Sequence, residues 1–254
     1  MITLEVCCGS YSDAVAAQRG GASRIELNSA LSLGGLTPDI GSVLLCREAV
    51  TIPVIAMLRP RGGGFCYTNE EYRVMERGAG HLLEAGTDGL AFGFLKEDGS
   101  VDMQRTKAIV SLIHSFGREA VFHRAFDCTP DLFEAAAALA EAGVDRILTS
   151  GGEQTALLGA ERLGMLKEAL GERVELLAGS GVRAENVTGL LEASGVRQVH
   201  SSCRGYAKDG TARGNGVAFD YAGLPAWDCY ETVSEKEVQR LRDRILQYEK
   251  GESL

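Results

Sequence analysis

The sequence has little positive charge and no long apolar segment. Its 26 Lys and Arg residues stand against 35 Asp and Glu residues, which gives a formal net charge of -9. A nucleic acid is bound through a basic face, so this balance argues against nucleic acid as the main partner. No apolar run reaches the length of a membrane-spanning helix, and the first residues, MITLEVCCGS, lack the basic start and apolar stretch of a signal peptide. We therefore expect a cytoplasmic protein that does not associate with membranes.

Cysteine pairs of the kind that bind zinc or build a disulfide framework are also missing. The seven cysteines are scattered, odd in number and never spaced as CxxC, which indicates reduced thiols. The five methionines form no Met-rich cluster. Hydrophobic residues at 45% and charged residues at 24% are ordinary values for a globular protein, and 254 residues can form one large α/β domain.

Eight apolar segments alternate with segments of helical periodicity. The stretches AGTDGLAFGF, AGVDRILTSGG and SGVRQVHSSCRG share one order: a helix-stopping glycine, a short loop, an apolar strand, and then small or polar residues. This order predicts a single-domain (β/α)8 TIM barrel over residues 1–254, with a doubly wound open sheet as the alternative. The predicted strands are 3–7, 24–28, 54–58, 89–92, 121–127, 145–149, 174–178 and 196–200.

The helices follow from periodicity and from glycines that end them. They are predicted at 12–20, 39–49, 69–85, 102–116, 131–142, 156–170, from about 183–185 onward, and at 234–248. The glycine-rich stretch 204–228 is predicted to be a long loop over the barrel mouth or an oligomer contact. In such a barrel the functional face lies at the carboxyl ends of the strands, so polar residues there are the candidates for chemistry.

The stretch VFHRAFD, residues 121–127, is an apolar strand that ends in polar groups. It predicts a buried strand that delivers His123, Arg124 and Asp127 to the mouth, since charged groups are costly to bury without a purpose. The alternative is structural: Arg124 and Asp127 form an ion pair, and His123 is a core histidine with its hydrogen bonds satisfied.

Alternation along the first two strands predicts which side chains face the lumen. Leu4 and Val6 would pack on helices, so the residues of the opposite parity would point inward. These inward residues are Glu5, Cys7, Glu26 and Asn28. The alternative is that each carboxylate pairs with an Arg or Lys of the lumen.

Two glycine-rich turns are candidates for anion binding. In MLRPRGGGF, Arg59 has the inward parity and Arg61 lies at the same end, so both guanidinium groups suit a carboxylate or phosphate. The turn Gly179, Ser180 and Gly181 follows the seventh strand, where barrels of this type commonly bind phosphate. The alternative is that these glycines only permit a tight strand-to-helix turn.

Together these positions predict a site for a small anionic molecule, and Asn28 is a further candidate for binding the anion. Glu5, Glu26, His123 and His200 would surround the reacting part of the ligand. His123 is the first choice as general acid or base, with Glu26 as its partner. Asp127 would either orient His123 or hold Arg124.

Several long motifs carry a resemblance to a known family. EVCCGS, GGASRIELNSALSLGGLTP, IPVIAMLRPRGGGFCY, FHRAFD, GVDRILTSGG and LLAGSGV resemble the CutC copper homeostasis family. The resemblance implies a TIM-type barrel, a cytoplasmic location, a homo-oligomer (dimer or tetramer) and a role in copper homeostasis. It also implies Cu(I) binding through two cysteines, of which one matches Cys7, whereas the second position here is Asn28.

The departure at Asn28 bears on copper directly. Cu(I) prefers soft thiolate and thioether ligands, and an amide oxygen is a poor substitute. Met57 and Cys66 are further sulfur candidates, and Gly64 stands where the family pattern usually has Asp. We therefore expect weak Cu(I) binding or binding without a defined stoichiometry. Three function classes follow: copper homeostasis, an enzyme that acts on a small phosphorylated or carboxylated metabolite by acid/base chemistry, and a non-catalytic ligand-binding barrel.

Overall fold

The structure is a computed structural model that describes residues 1–219 and 224–251. Eight parallel strands close into a barrel in sequence order, which confirms the predicted (β/α)8 fold. The strands are β1 (Thr3–Cys8), β2 (Arg24–Leu27), β3 (Val54–Met57), β4 (Gly89–Phe92), β5 (Glu119–Phe122), β6 (Arg146–Thr149), β7 (Glu175–Ala178) and β8 (Gln198–Ser201). All eight are flanked by helices on the outside, as the mainly apolar strand sequences require.

Eight described helices surround the barrel, and six of them begin at a side-chain cap. They are α1 (Tyr11–Gly20), α2 (Ile40–Ala49), α3 (Asn69–Glu84), α4 (Met103–Ser115), α5 (Leu132–Glu141), α6 (Ala160–Leu170), α7 (Val187–Ser194) and α8 (Glu235–Lys250). At α3, for example, Thr68 accepts from the Glu71 N–H while the Glu71 carboxylate accepts from the Thr68 N–H. This capping box satisfies two backbone donors that the helix itself leaves free.

The barrel has an outer and an inner core. Side chains such as Val6, Cys8 and Ile25 belong to the large core between strands and helices. The lumen contains a small apolar cluster of Ile55, Met57, Ala91 and Val121. The alternation predicted for β1 and β2 is confirmed, because Val6 packs outward while Glu5 bonds to groups within the barrel.

The strand predicted at residues 121–127 is shorter than expected. β5 ends at Phe122, and Arg124–Cys128 form a 3-10 turn instead. The reason is local: the His123 ring accepts the Ala125 N–H, and this side-chain cap starts the turn. Two helices also begin later than predicted, α6 at Ala160 and α7 at Val187.

The stretch 204–228, predicted to be a loop, contains strands. They are β9 (Arg204–Lys208), β10 (Arg213–Gly214) and β11 (Val217–Ala218), and residues 220–223 lie outside the described residues. β9 pairs antiparallel with β12 (Cys229–Val233), and β10 with β11. The prediction was wrong here because β9 finds its partner about twenty residues later, beyond the reach of local periodicity. None of the helices described is both long enough and apolar enough to cross a membrane.

Candidate functional site

Three side chains from adjacent strands converge at the carboxyl end of the barrel. Cys7 of β1, Glu26 of β2 and His200 of β8 each offer one ligand atom, and these atoms lie within 4.8 Å of one another. Strand register brings them together, since Cys7 is opposite Glu26 and the neighbouring Glu5 is opposite His200. We call Cys7, Glu26 and His200 the mouth cluster. It unites Glu26 and His200, which the sequence predicted around the reacting part of a ligand, with Cys7, which the family resemblance assigned to copper.

Glu5 holds the His200 ring in place. The Glu5 Oε1 atom lies 2.8 Å from His200 Nδ1, and Oε2 accepts from the Arg24 Nε–H. Burial alone would raise the pKa of Glu5, but Arg24 and then His200 outweigh it and hold that pKa at about 2. Burial would lower the pKa of His200, yet hydrogen bonds to Cys7 and Glu5 raise it well above its ordinary value. The His200 ring is therefore protonated, and it lies between the fixed Glu5 carboxylate and the Cys7 thiol.

The other two members of the mouth cluster keep their protons more firmly than usual. Burial raises the pKa of the Cys7 thiol and that of the Glu26 carboxyl. Asn28 Nδ2 donates to Glu26 Oε2 at 2.9 Å and lies 3.5 Å from Cys7 Sγ. Asn28 thus orients both groups with its amide nitrogen, a second layer of contacts that fixes potential metal ligands.

His123 follows β5, and no hydrogen bond joins it to Glu26 in the described part of the chain, so their partnership as acid and base stays a prediction. Its Nδ1 accepts from the Ala125 N–H at 3.1 Å, so the neutral ring carries its proton on Nε2. Burial, and then the charge of Arg59, lower the pKa of His123 to about 3. The ring is therefore neutral near pH 7 and suits hydrogen-bond donation better than proton abstraction.

Arg59 and Arg61 are engaged by the protein itself. Arg59 donates to the carbonyl oxygens of Leu33, Gly34 and Gly35 at 3.1 to 3.2 Å and to that of Gly63 at 2.6 Å. Arg61 pairs with Glu71 and donates to three nearby carbonyl oxygens. These contacts brace the loops after β2 and β3. Anion binding by these two arginines stays a prediction.

The turn Gly179, Ser180 and Gly181 borders a cavity of about 670 Å³ after β7 and β8. Ser180 Oγ donates to the Gln154 carbonyl at 2.7 Å, which anchors the turn. A Cβ at Gly179 would lie 2.5 Å from Leu148 Cδ1, so a larger residue there would require the end of the Leu148 side chain to move. The phosphate role of this turn also stays a prediction. The same cavity is lined by Arg124, Arg183, Ser202 and Arg204.

Asp127 holds Arg124, which resolves the two possibilities that the sequence left open. Its Oδ2 accepts from the Arg124 Nε–H at 2.8 Å, and its oxygens also accept the backbone N–H groups of Ser150 and Gly152. The Arg124 Nη2 atom donates to Ser150 Oγ at 2.8 Å. Asp127 is thus a positioning residue for Arg124 and for the loop after β6.

The two remaining sulfur candidates for copper, Met57 and Cys66, lie in different places. Met57 lies in the lumen and lines a second cavity of about 360 Å³, together with Cys7, Glu26 and His200. Cys66 is exposed and does not belong to the mouth cluster. Sequence reasoning missed Phe65, whose ring lies 5.0 Å from that of His123 and 5.1 Å from the Arg59 guanidinium. Phe65 follows three glycines in a loop, where no periodicity indicates the direction of its side chain.

The family model of the CutC family matches residues 2–205. The chain belongs to the CutC family. A curated CutC family protein from Treponema denticola is 40% identical over 242 residues, covering 94% of this chain and 97% of the relative. A CutC family protein from Klebsiella pneumoniae is 47% identical over 203 residues, covering 80% of each.

Solved structures agree with this assignment. A CutC from Streptococcus agalactiae, provisionally named a copper homeostasis protein, matches with a TM-score of 0.75 at 31% identity, over 80% of this chain and 99% of the other. A deoxyribose phosphate aldolase from Aeropyrum pernix has a TM-score of 0.57 at 16% identity, over 78% of this chain and 85% of the other. The second likeness shows the barrel fold alone.

Proposed function

We propose that this CutC family protein serves copper homeostasis, the role for which its Streptococcus agalactiae relative is named, and that the mouth cluster is its copper site. The observation that carries the proposal is the convergence of Cys7, Glu26 and His200 within 4.8 Å. Glu5 supports the site, because a carboxylate on one nitrogen of a histidine orients the other nitrogen toward a metal.

The donor set fits copper through two of its three members. The Cys7 thiolate and a His200 nitrogen are suitable donors for Cu(I), whereas the Glu26 oxygen is harder and Asn28 supplies no second thiolate. Binding must also displace protons from Cys7 and His200, whose pKa values are both raised. We therefore expect the affinity for Cu(I) to be modest and to weaken as the pH falls.

Competition of the reduced protein against a series of Cu(I) chelators tests this proposal. We expect one weakly held ion, and we expect Cys7→Ser to abolish its binding. Cys66→Ser is the matched control, since Cys66 is exposed and lies outside the mouth cluster. Binding that survives Cys7→Ser, or that Cys66→Ser removes equally, would refute the assignment of the site.

The larger cavity supports a second candidate function, an enzyme or binding barrel for a small phosphorylated or carboxylated metabolite. Arg124, Arg183 and Arg204 border it beside the turn at Gly181, in the region where TIM barrels commonly hold phosphate. Arg124 and Arg204 are each fixed by one carboxylate, Asp127 and Glu231 respectively. Fixed arginines bind an anion at a lower entropic cost.

A thermal scan with graded phosphate, against chloride at equal ionic strength, tests this second candidate. Phosphate is expected to raise the melting temperature, and Arg183→Gln is expected to remove most of the rise. Arg197→Gln is the control, because Arg197 is exposed and precedes β8 at the opposite end of the barrel. An equal phosphate effect in both variants would place the anion elsewhere.

We further propose that the protein is a cytoplasmic homo-oligomer, a dimer or tetramer, and that neither nucleic acid nor a membrane is a partner. The seven free cysteines suit a reducing compartment. On α2, Ile40 and Leu44 are one helical turn apart and about half exposed, at 45% and 48%, so a second copy would cover them. Light scattering should give an oligomer mass that Leu44→Lys reduces.

A further inference from the structure

A small cavity lies between the mouth cluster and the ends of β3 and β5. Its volume is about 360 Å³, and its walls include Glu26, Met57, Arg59, Phe65, His123 and His200. This volume is at the lower end of the range for ligand pockets, so only a small molecule fits. The copper proposal uses one side of this cavity and leaves the opposite wall without a role.

The opposite wall presents two buried donors that no described residue satisfies. His123 is 3% exposed and Arg59 is 6% exposed, yet His123 Nε2 and Arg59 Nε have no hydrogen-bond partner in the described part of the chain. Burying a donor without a partner is costly, and such groups in native proteins need an explanation. Both residues contact the Phe65 ring, at 5.0 and 5.1 Å, and both line the same cavity.

The backbone fixes His123 as a donor. Its Nδ1 is occupied by the Ala125 N–H, and a doubly protonated ring would place two donors against each other there. Close packing holds the ring in this position, because a Cβ at Gly93 would lie 2.5 Å from His123 Cε1 and 2.6 Å from Nδ1. The ring thus presents an N–H to its surroundings across the physiological pH range.

We propose that this cavity binds a small carboxylate or carbonyl compound whose oxygen accepts hydrogen bonds from His123 Nε2–H and Arg59 Nε–H, facing the mouth cluster. The positive charge of Arg59 favours a carboxylate. A cationic group of the same size is rejected, because it would bring further donors to a wall that already consists of donors. The site goes beyond the copper proposal and requires no metal.

The test uses metal-free protein in the presence of a metal chelator, so that its outcome is independent of copper binding. The probes are acetate and pyruvate as acceptors, and ethylamine as a cation of similar size. Thermal shift and NMR signals of the histidine rings report binding. Only four histidines are present, and His81→Gln and His114→Gln assign the two exposed ones.

We expect pyruvate or acetate to stabilise the protein and to shift the His123 Nε2–H resonance downfield, whereas ethylamine does neither. His123→Phe keeps a ring against Phe65 and removes the donor, so the affinity for the carboxylate should fall about tenfold or more. His81→Gln should leave it unchanged. If His123→Phe does not fold, the shift of the His123 resonance in the wild-type protein decides alone.

Three outcomes overturn the proposal. The first is that neither acceptor binds the wild-type protein at millimolar concentration. The second is that binding leaves the His123 resonance in place, and the third is that ethylamine binds equally well. If the carboxylate does not bind, the proposal of a Cu(I) site at Cys7 still stands. If Cu(I) does not bind, the proposal of a carboxylate site at His123 still stands.

Discussion

Buried polar groups are paired with one another at the lower end of the barrel lumen, where the strands begin, but several are unpaired at the mouth, where the strands end. At the lower end Arg24 donates to Glu5 and to Gln198, Gln198 donates to Glu175, and Arg146 pairs with Glu175. At the mouth, three buried atoms of residues that line the small cavity lack a partner among the described residues: Asn28 Oδ1, Arg59 Nε and His123 Nε2. Tyr67 Oη, in the loop after β3, lacks one as well. The difference indicates that the lower network serves the fold, while the mouth leaves hydrogen-bonding capacity for a ligand.

The largest expected effect is at the lower end. Arg24→Met would leave the Glu5 carboxylate, whose side chain is 2% exposed, with His200 as its remaining cationic partner, and removing one partner of a buried pair costs up to about 3–5 kcal/mol. Urea unfolding followed by circular dichroism measures this loss of stability.

The control for this substitution is an exposed ion pair of similar geometry. Arg240 lies 2.7 Å from Glu185, and both side chains are 55% exposed. Arg240→Met should change the free energy of unfolding by less than about 1 kcal/mol. Equal losses for the two variants would remove the distinction between a structural network and ordinary surface charge.

At the mouth, acid should destabilise the protein through His123. Its pKa is lowered from 6.5 to about 3 on folding. Below pH 6.5 the histidine is therefore protonated in the unfolded chain but stays neutral in the native protein. The contribution of the neutral His123 ring to the free energy of unfolding is fully present above pH 6.5. We expect this free energy to fall by up to about 1.4 kcal/mol per pH unit as the pH falls toward 3.

Comparison with His123→Asn isolates this contribution, because the Asn oxygen can still accept the Ala125 N–H. The raised pKa of Glu26 acts with the opposite sign above the group's ordinary value of 4.5, but it is common to both proteins. Unfolding measured between about pH 6.5 and 5 avoids the Glu5 carboxyl, whose ordinary value is 4.5. A parallel pH dependence in the two proteins would contradict the buried neutral ring.

The smallest expected effect is on the alkylation rates of the cysteines. These rates show whether a reagent can enter the mouth of the barrel and reach Cys7. Cys66 and Cys128 are exposed, Cys7 is half-buried, and Cys8 is fully buried against the helices. Burial raises the pKa of Cys7 and raises that of Cys8 further, which lowers the thiolate fraction of both. Timed alkylation with mapping by mass spectrometry should therefore modify the exposed pair first, then Cys7, then Cys8. Reaction of Cys8 ahead of Cys7 would mean that the mouth is closed.

Local sequence was sufficient for much of the fold and for part of the site. Alternation in β1 and β2 correctly placed Glu5 and Glu26 inside the barrel, because side-chain direction in a strand depends only on parity. It did not identify which groups pair. Glu5 and His200 are 195 residues apart in sequence, and only closure of the barrel between β1 and β8 makes them neighbours.

Other contacts at the mouth also lay beyond the reach of the sequence. The guanidinium of Arg59, a predicted anion-binding group, also bonds to carbonyl oxygens of the loop at Leu33, Gly34 and Gly35, which the sequence does not place beside it. His123 was predicted to act as a general acid or base, and periodicity does not describe the turn after β5 that presents the Ala125 N–H to its ring. Hydrogen-bond partners decide the role of a polar side chain, and these partners are set by loops that periodicity does not describe.

The sequence by itself determined the barrel, the order of its strands, the inward residues and the membership in the CutC family. Those properties follow from short-range patterns and from long motifs. The tertiary structure decided that Cys7, Glu26 and His200 form one cluster and that His123 faces them as a neutral donor. It could decide this because closing the barrel brings distant strand ends within a few ångströms of one another, where burial and neighbouring charges set each proton.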